Sequence, residues 1–170
     1  MITVEHVSLP LIAHFKAARL RALKDSPSAF GSTYANESQL TDEDWVKRVA
    51  GWNSNGAVCY LAIDNGVPCG IVGGKCVVRE RKWVDVLSMW VAPTHRRAGL
   101  GKTLIDTVES WAVSLSASRL RLTVTSNNAS AIDFYRRCGF EMTGKTEPYP
   151  NDAALFEYEM AKPLEKLRME

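Results

Sequence analysis

Metal-binding side chains are sparse in this 170-residue chain, which has three histidines (His6, His14, His95) and four cysteines (Cys59, Cys69, Cys76, Cys138). The cysteines form no Cys-x-x-Cys pair and the histidines are scattered, so no metal is expected. No apolar run approaches the roughly 18 residues of a membrane span, and no membrane partner is expected. Met-Ile-Thr-Val-Glu-His has no basic stretch followed by an apolar one, so no secretory signal is read and a cytoplasmic location is expected. Without such a signal, Asn36-Glu37-Ser38 and Asn128-Ala129-Ser130 match the glycosylation pattern only by chance. An excess of one charge is also missing: the net charge of +2 gives no reason to expect a nucleic-acid partner. A two-residue turn at Asn65-Gly66 would set Cys69 opposite position 62 and Cys59 opposite position 72. The two thiols then do not meet, and reduced, mostly buried cysteines are expected.

Hydrophobic residues make up 46% of the chain and charged residues 24%, as in ordinary globular proteins, and the length suits a single domain over 1–170. Strands are predicted at 2–7, 57–64, 67–79, 83–91, 119–125, 140–146 and 154–161. Asn65-Gly66 joins the second and third as a hairpin. Helices are predicted at 11–23, at 41–52 behind a Thr41/Asp44 capping box, from 101 to 115, and at 128–138 before Gly139. Residues 25–34 read as a loop. Trp83 to Val91 is almost wholly apolar, as a central strand covered on both faces would be. The order strand–helix–strand–helix from 83 to 138 implies a parallel crossover. The expected fold class is α/β (α+β): a mixed, mostly antiparallel central sheet of six or seven strands, a parallel crossover between the fourth and fifth, and about four helices on both faces.

Between the strand ending at Val91 and the next helix lies Pro93-Thr94-His95-Arg96-Arg97-Ala98-Gly99-Leu100-Gly101-Lys102. A helix start leaves N–H groups unpaired at the positive end of its dipole, and Gly99 and Gly101 let a ligand approach the backbone, which suits a phosphate or pyrophosphate. Gly101-Lys102-Thr103 mimics the tail of a P-loop, but position 96 is arginine where that motif needs glycine. Arg96 to Gly101 fits R/Q-x-x-G-x-G/A. A second segment, Asn128 to Phe140, fits N-x-x-A-x-x-x-Y-x-x-x-G-F at every fixed position and puts Asn128, Ala131 and Tyr135 on one helix face.

Together these motifs closely resemble the GNAT superfamily of acyl-coenzyme A-dependent N-acetyltransferases; the resemblance covers most of 57–160 and only the general layout before it. It implies acetyl-coenzyme A as cosubstrate. Its pyrophosphate would lie on Arg97, Ala98, Gly99, Leu100, Gly101 and Lys102, with Arg96 at the pattern's first position. Its pantetheine arm would run along Met89, Trp90 and Val91. Asn128, Ala131 and Tyr135 would line that channel, with the Tyr135 hydroxyl near the thioester sulfur. Asn128 also reads simply as a helix cap, and Tyr135 as a core aromatic. Arg96, Arg97, Lys102, Arg136 and Arg137 are the cations near the phosphates.

Asp85 is the one charged residue in Trp-Val-Asp-Val-Leu-Ser-Met-Trp-Val. Burial would raise its pKa and make it a general base, or it pairs with Arg79, Arg81 or Lys82. A phenol is a weaker acid than a thiol, so Tyr135 would stabilise charge on the departing sulfur rather than fully protonate it. A backbone N–H near Val91 would polarise the carbonyl. No Ser-His-Asp or Cys-His set is discernible, which favours direct attack by the amine. Residues 25–44 hold five acidic and no basic residues, which suits a cationic acceptor or simply a helix N-terminus. Phe30, Tyr34 and Tyr149 are the acceptor-binding candidates. The expected function is acetyl transfer to a primary amine, small-molecule by preference. A protein N-terminal or lysine acetyltransferase, or a non-catalytic coenzyme A-binding sensor, is the alternative. A homodimer is plausible, since family members are often dimeric.

Overall fold

The computed structural model describes residues 1–77 and 82–165. In chain order its elements are β1 (Ile2–His6), α1 (Ile12–Asp25), the single turn α2 (Tyr34–Glu37), α3 (Asp42–Trp52), β2 (Ala57–Asp64), β3 (Val67–Val77), β4 (Trp83–Val91), α4 (Leu100–Ser114), β5 (Arg119–Thr125), α5 (Ala129–Arg137), β6 (Glu141–Pro148) and β7 (Phe156–Pro163). The strands form one sheet in the order β1-β2-β3-β4-β5-β7-β6. Among the described residues only β4 and β5 run parallel, as the crossover through α4 requires. The expected mixed sheet is present. Its third strand is described only to Val77, and positions 78–79 of the predicted strand lie outside the described residues. One α-helical element is additional to those expected, beside three short 3-10 turns: Tyr34–Glu37 make a helical turn, with Thr33 as its cap.

Local chemistry explains the element ends. Thr41 accepts from the Asp44 N–H, and Asp44 accepts from the Thr41 N–H, so the capping box fixes the start of α3. Asn65 and Gly66 both have positive φ, 48° and 81°, as a tight hairpin turn with the twist of the flanking strands demands. The register beyond that turn departs from expectation. Ile63 faces Pro68, but Ala62 faces Gly70 and Cys59 faces Gly73, because Cys69 is an extra residue in a bulge. The thiols still do not meet, and all four cysteines are free.

The helices lie on both faces. Gly73 makes room on one face for the Trp52 ring of α3, and Gly74 makes room on the other for Val108 and Trp111 of α4. α1 packs with α3, while α5 joins α4, where Phe134 lies over Gly101. No helix of the described residues is long and apolar enough to cross a membrane. Coverage is uneven. In β4 the buried residues are Val84, Val86 and Trp90, while Asp85 is half-buried and Leu87 is 40% exposed. The expectation of a strand covered on both faces is therefore corrected: opposite α4, the β4–β5–β7–β6 part of the sheet carries a groove. Asp85, Leu87, Arg121, Thr123, Glu157 and Glu159 line it.

Candidate active site

The parallel pairing of β4 with β5 is short. Trp83 faces Arg119, Val84 faces Leu120 and Asp85 faces Arg121; beyond that the two strands part. β4 continues to Val91 against β3, and β5 continues to Thr125 against β7. The inner edges of residues 86–91 and 122–125 therefore face a cleft with no strand between them. Backbone N–H and C=O groups seldom stay unpaired when buried, so this cleft is shaped to take an extended ligand by strand-like hydrogen bonding.

At the open end of β4 the chain turns through Pro93–His95 into α4. Arg97 and Gly99 take left-handed conformations, φ 62° and 84°, and Gly99 is the helix N-cap. No side chain caps this end, whereas Asn128 caps α5 by accepting from the Ala131 N–H at 3.2 Å. The first intrahelical bond runs from Thr103 N–H to the Gly99 carbonyl. The N–H groups of Leu100, Gly101 and Lys102 are thus left for a ligand, at the positive end of a 15-residue helix. Space beside Gly99 is open. Gly101 differs from expectation: a Cβ there would lie 2.9 Å from the Phe134 ring, so its missing side chain admits α5 rather than a ligand. Met89 approaches the same spot, which brings the end of β4 and both sequence motifs together.

The motif cations divide in two groups. Arg96 is structural: its Nε donates to the Val91 carbonyl at 2.9 Å and its Nη2 donates to Asp25. Asp25 also accepts from Trp90 Nε1 at 3.0 Å and from Ser26, so α1, β4 and the loop meet on one carboxylate. Burial works to raise the Asp25 pKa, but these three donors outweigh it and hold it below the usual carboxylate range. Lys102 pairs with Asp106 at 2.7 Å, one turn along its helix, and Arg136 leans toward Asp133. Among the described residues, Arg97 and Arg137 are the motif cations in no ion pair.

Tyr135 is buried at 8% exposure beside Phe134 and Phe140. Burial, with a smaller effect of Cys138, pushes its pKa well above that of an ordinary phenol. Asn128 serves as the α5 cap, and Ala131 packs against the core from the same helix.

Asp85 is paired, but with an unexpected partner. Of its two readings, a buried base or a paired carboxylate, the structure shows the pair. Its two oxygens accept from Arg121 Nε at 2.7 Å and Nη2 at 3.0 Å, across the last rung of the β4–β5 ladder. The partner is Arg121 of β5, and the suggested partners Arg79 and Arg81 lie outside the described residues. The acceptor candidates are also placed differently. Phe30 is buried with Arg19 over its ring, and Tyr149 is buried with its hydroxyl donating to the Phe30 carbonyl at 2.6 Å. Together they latch the loop after α1 to the loop after β6. Tyr34 is exposed, with Lys24 over its ring. Sequence reasoning missed the groove's own charges. Four carboxylates (Asp85, Glu147, Glu157, Glu159) face two cations (Arg121, Lys145). Burial, then the neighbouring Glu147, raises the Glu157 pKa. Charged residues at odd positions, Lys145, Glu147, Glu157 and Glu159, which share a strand face, were the available signal.

The sequence profile of the Acetyltransferase (GNAT) family matches residues 20–140, more than half of the chain. This chain belongs to the GNAT acetyltransferase family. It is 33% identical over 101 residues to the N-terminal acetyltransferase B complex catalytic subunit naa20 of Schizosaccharomyces pombe, covering 57% of this chain and 56% of that one. It is 34% identical over 86 residues to streptothricin acetyltransferase of Escherichia coli, covering 45% and 49%. The chain thus spans about half the length of these curated relatives. A GNAT-family acetyltransferase of Streptococcus pneumoniae superposes with a TM-score of 0.81 over 97% of this chain and 100% of its own, at 22% identity, and so shares the fold.

Proposed function

We propose that the protein is an acetyl-coenzyme A-dependent N-acetyltransferase acting on a primary amine that carries positive charge. The observation that carries this reading is the split between β4 and β5 beyond Asp85 and Arg121, with the uncapped start of α4 at its mouth. Bound there, acetyl-coenzyme A supplies an acetyl group activated as a thioester. Leu100, Gly101 and Lys102 offer their N–H groups to its pyrophosphate, and Arg97 adds charge. Met89 to Val91 pair their free backbone edge with the pantetheine amides. Tyr135, kept protonated by burial, donates a hydrogen bond to the sulfur as the carbon–sulfur bond breaks.

The groove opposite α4 receives the amine. Its excess of two carboxylates over cations attracts an ammonium group. That group must lose its proton before its nitrogen attacks the carbonyl carbon. Among the groove carboxylates, Glu157 has the raised pKa suited to take that proton, while Asp85 is held by Arg121. A small polyamine or aminoglycoside-like amine, with several positive charges, fits this groove better than a peptide terminus with one.

The test is thiol release from acetyl-coenzyme A with a panel of polyamines, cationic amino acids and peptides. Release above hydrolysis with cationic small amines supports the reading. Release only with peptides moves the acceptor to protein termini. Tight coenzyme binding without release across the panel makes the chain a coenzyme A-binding module instead.

A further inference from the structure

Ser88 lies in the middle of β4 with φ 56°, a left-handed conformation that a serine in a strand does not adopt without support. The ladder shows why. Trp90 faces Ile71 and Leu87 faces Gly73, so Ser88 and Met89 together oppose Val72 alone. This is a bulge, and it falls where β4 has already parted from β5. A bulge re-aims the backbone groups beside it, and here those groups border the cleft.

A side chain from another element hydrogen-bonds to the bulge. Arg19, on α1, donates from Nη1 to Ser88 Oγ at 3.0 Å. The other two nitrogens are engaged: Nε and Nη2 each hold a Glu37 oxygen at 3.0 Å. Arg48 of α3 donates to the same carboxylate at 2.7 Å. Glu37 is only 1% exposed, and the Phe30 ring stacks 4.9 Å from the Arg19 guanidinium. A planar fork with two bonds to a buried carboxylate and a ring against its face has little freedom, so its Nη1 is fixed in space.

We propose that Arg19 is a positioning residue. Clamped by Glu37 and Arg48, it fixes Ser88 and so aims the backbone N–H at the bulge, just ahead of the edge that meets the pantetheine arm, toward the thioester carbonyl. This rests on the acetyltransferase reading above. Arg19 touches no substrate and acts through Ser88. Ser88→Ala removes the acceptor from Arg19. Ser88→Gly removes it too but relieves the backbone strain. Arg19→Lys keeps a charge beside Glu37 but cannot bond both Glu37 oxygens and Ser88 in one plane.

The experiment measures amide hydrogen exchange of the segment 86–91 in the unliganded protein, and kcat, KM and coenzyme A affinity by calorimetry. Ser88→Ala and Arg19→Lys should each quicken exchange there and lower kcat about 10- to 100-fold, the scale of a slight misplacement, with coenzyme A affinity unchanged. In the Ser88→Ala background, Arg19→Lys should lower kcat no further, and Ser88→Gly should behave like Ser88→Ala. Unchanged exchange in the segment, effects of the two substitutions that multiply, or a fall in coenzyme affinity matching the fall in kcat would each overturn the positioning role. If the wild-type protein releases no thiol with any amine, the acetyltransferase reading fails instead, and the exchange measurement still decides whether Arg19 holds the bulge.

Discussion

Tyr135 and Glu157 sit on opposite faces of the split sheet, and both have pKa values raised chiefly by burial, with opposite chemical consequences. For the phenol, burial preserves the proton and so preserves a donor at neutral pH. For the carboxylate, it raises basicity toward the working range. Tyr135→Phe should lower kcat roughly 10- to 1,000-fold while calorimetry finds coenzyme A binding unchanged, since the hydroxyl matters as the sulfur departs. Glu157 faces Glu147 and Lys145 from β6, Glu159 from its own strand, and Arg121 and Asp85 across the groove. Because its pKa is raised, its deprotonated, basic form appears as pH climbs through that raised value, and the rate should climb with it. Glu157→Gln should abolish that acidic limb of the pH–rate profile. Asp85→Asn should keep the limb and lower thermal stability, because it strips Arg121 of its partner. A limb lost in Asp85→Asn but kept in Glu157→Gln would return the base to the residue the sequence first suggested.

At the scale of elements, α4 and α5 were readable in advance because each carries its own punctuation: the Gly99–Gly101 turn before one start, Asn128 at the other, Gly139 past the end. Their mutual approach was not readable, because Gly101 and Phe134 are far apart in sequence and nothing local says that a ring fills the space. The same limit explains Asp85 and Tyr149. Arg121 and the Phe30 carbonyl lie 36 and 119 residues from their partners, so the apolar run around Asp85 suggested burial, and Tyr149 suggested a substrate contact. The two glycines of the loop should answer differently to alanine. Gly99→Ala meets no neighbour and pays only for positive φ, about 1–2 kcal/mol. Gly101→Ala drives a methyl into the Phe134 ring, an overpacking cost of about 1–3 kcal/mol that also shifts the start of α4 and weakens coenzyme binding. Phe134→Leu, added to Gly101→Ala, should recover part of the melting temperature and of the affinity, and should do neither for Gly99→Ala. Equal rescue of both would mean that Gly101 does not owe its role to that contact.

Across the whole molecule, two carboxylates fasten α1, one to the sheet and one to α3. Asp25 holds Trp90 and Arg96, and Glu37 joins Arg19 of α1 to Arg48 of α3. Burial acts to raise the Glu37 pKa, and the Arg19 hydrogen bond and the two guanidinium charges outweigh it, so it lies below the ordinary value. A carboxyl whose folded pKa is depressed stabilises the fold fully above its unfolded value, about 4.3 for glutamate, and that contribution is lost as pH falls through the lower folded value. The melting temperature should therefore hold from neutral pH to about pH 5 and fall steeply below about pH 4. Glu37→Gln takes the charge away at every pH and leaves Arg19 and Arg48 facing each other, a loss on the order of 3–5 kcal/mol for a broken buried pair. The variant should melt well below the wild type at pH 7, and the gap should close as the wild type's own carboxyl is protonated. A gap that stayed constant down to pH 3 would show that the Glu37 charge is not what fastens α1 and α3 over the cleft. The Arg19–Ser88 contact would then need another anchor.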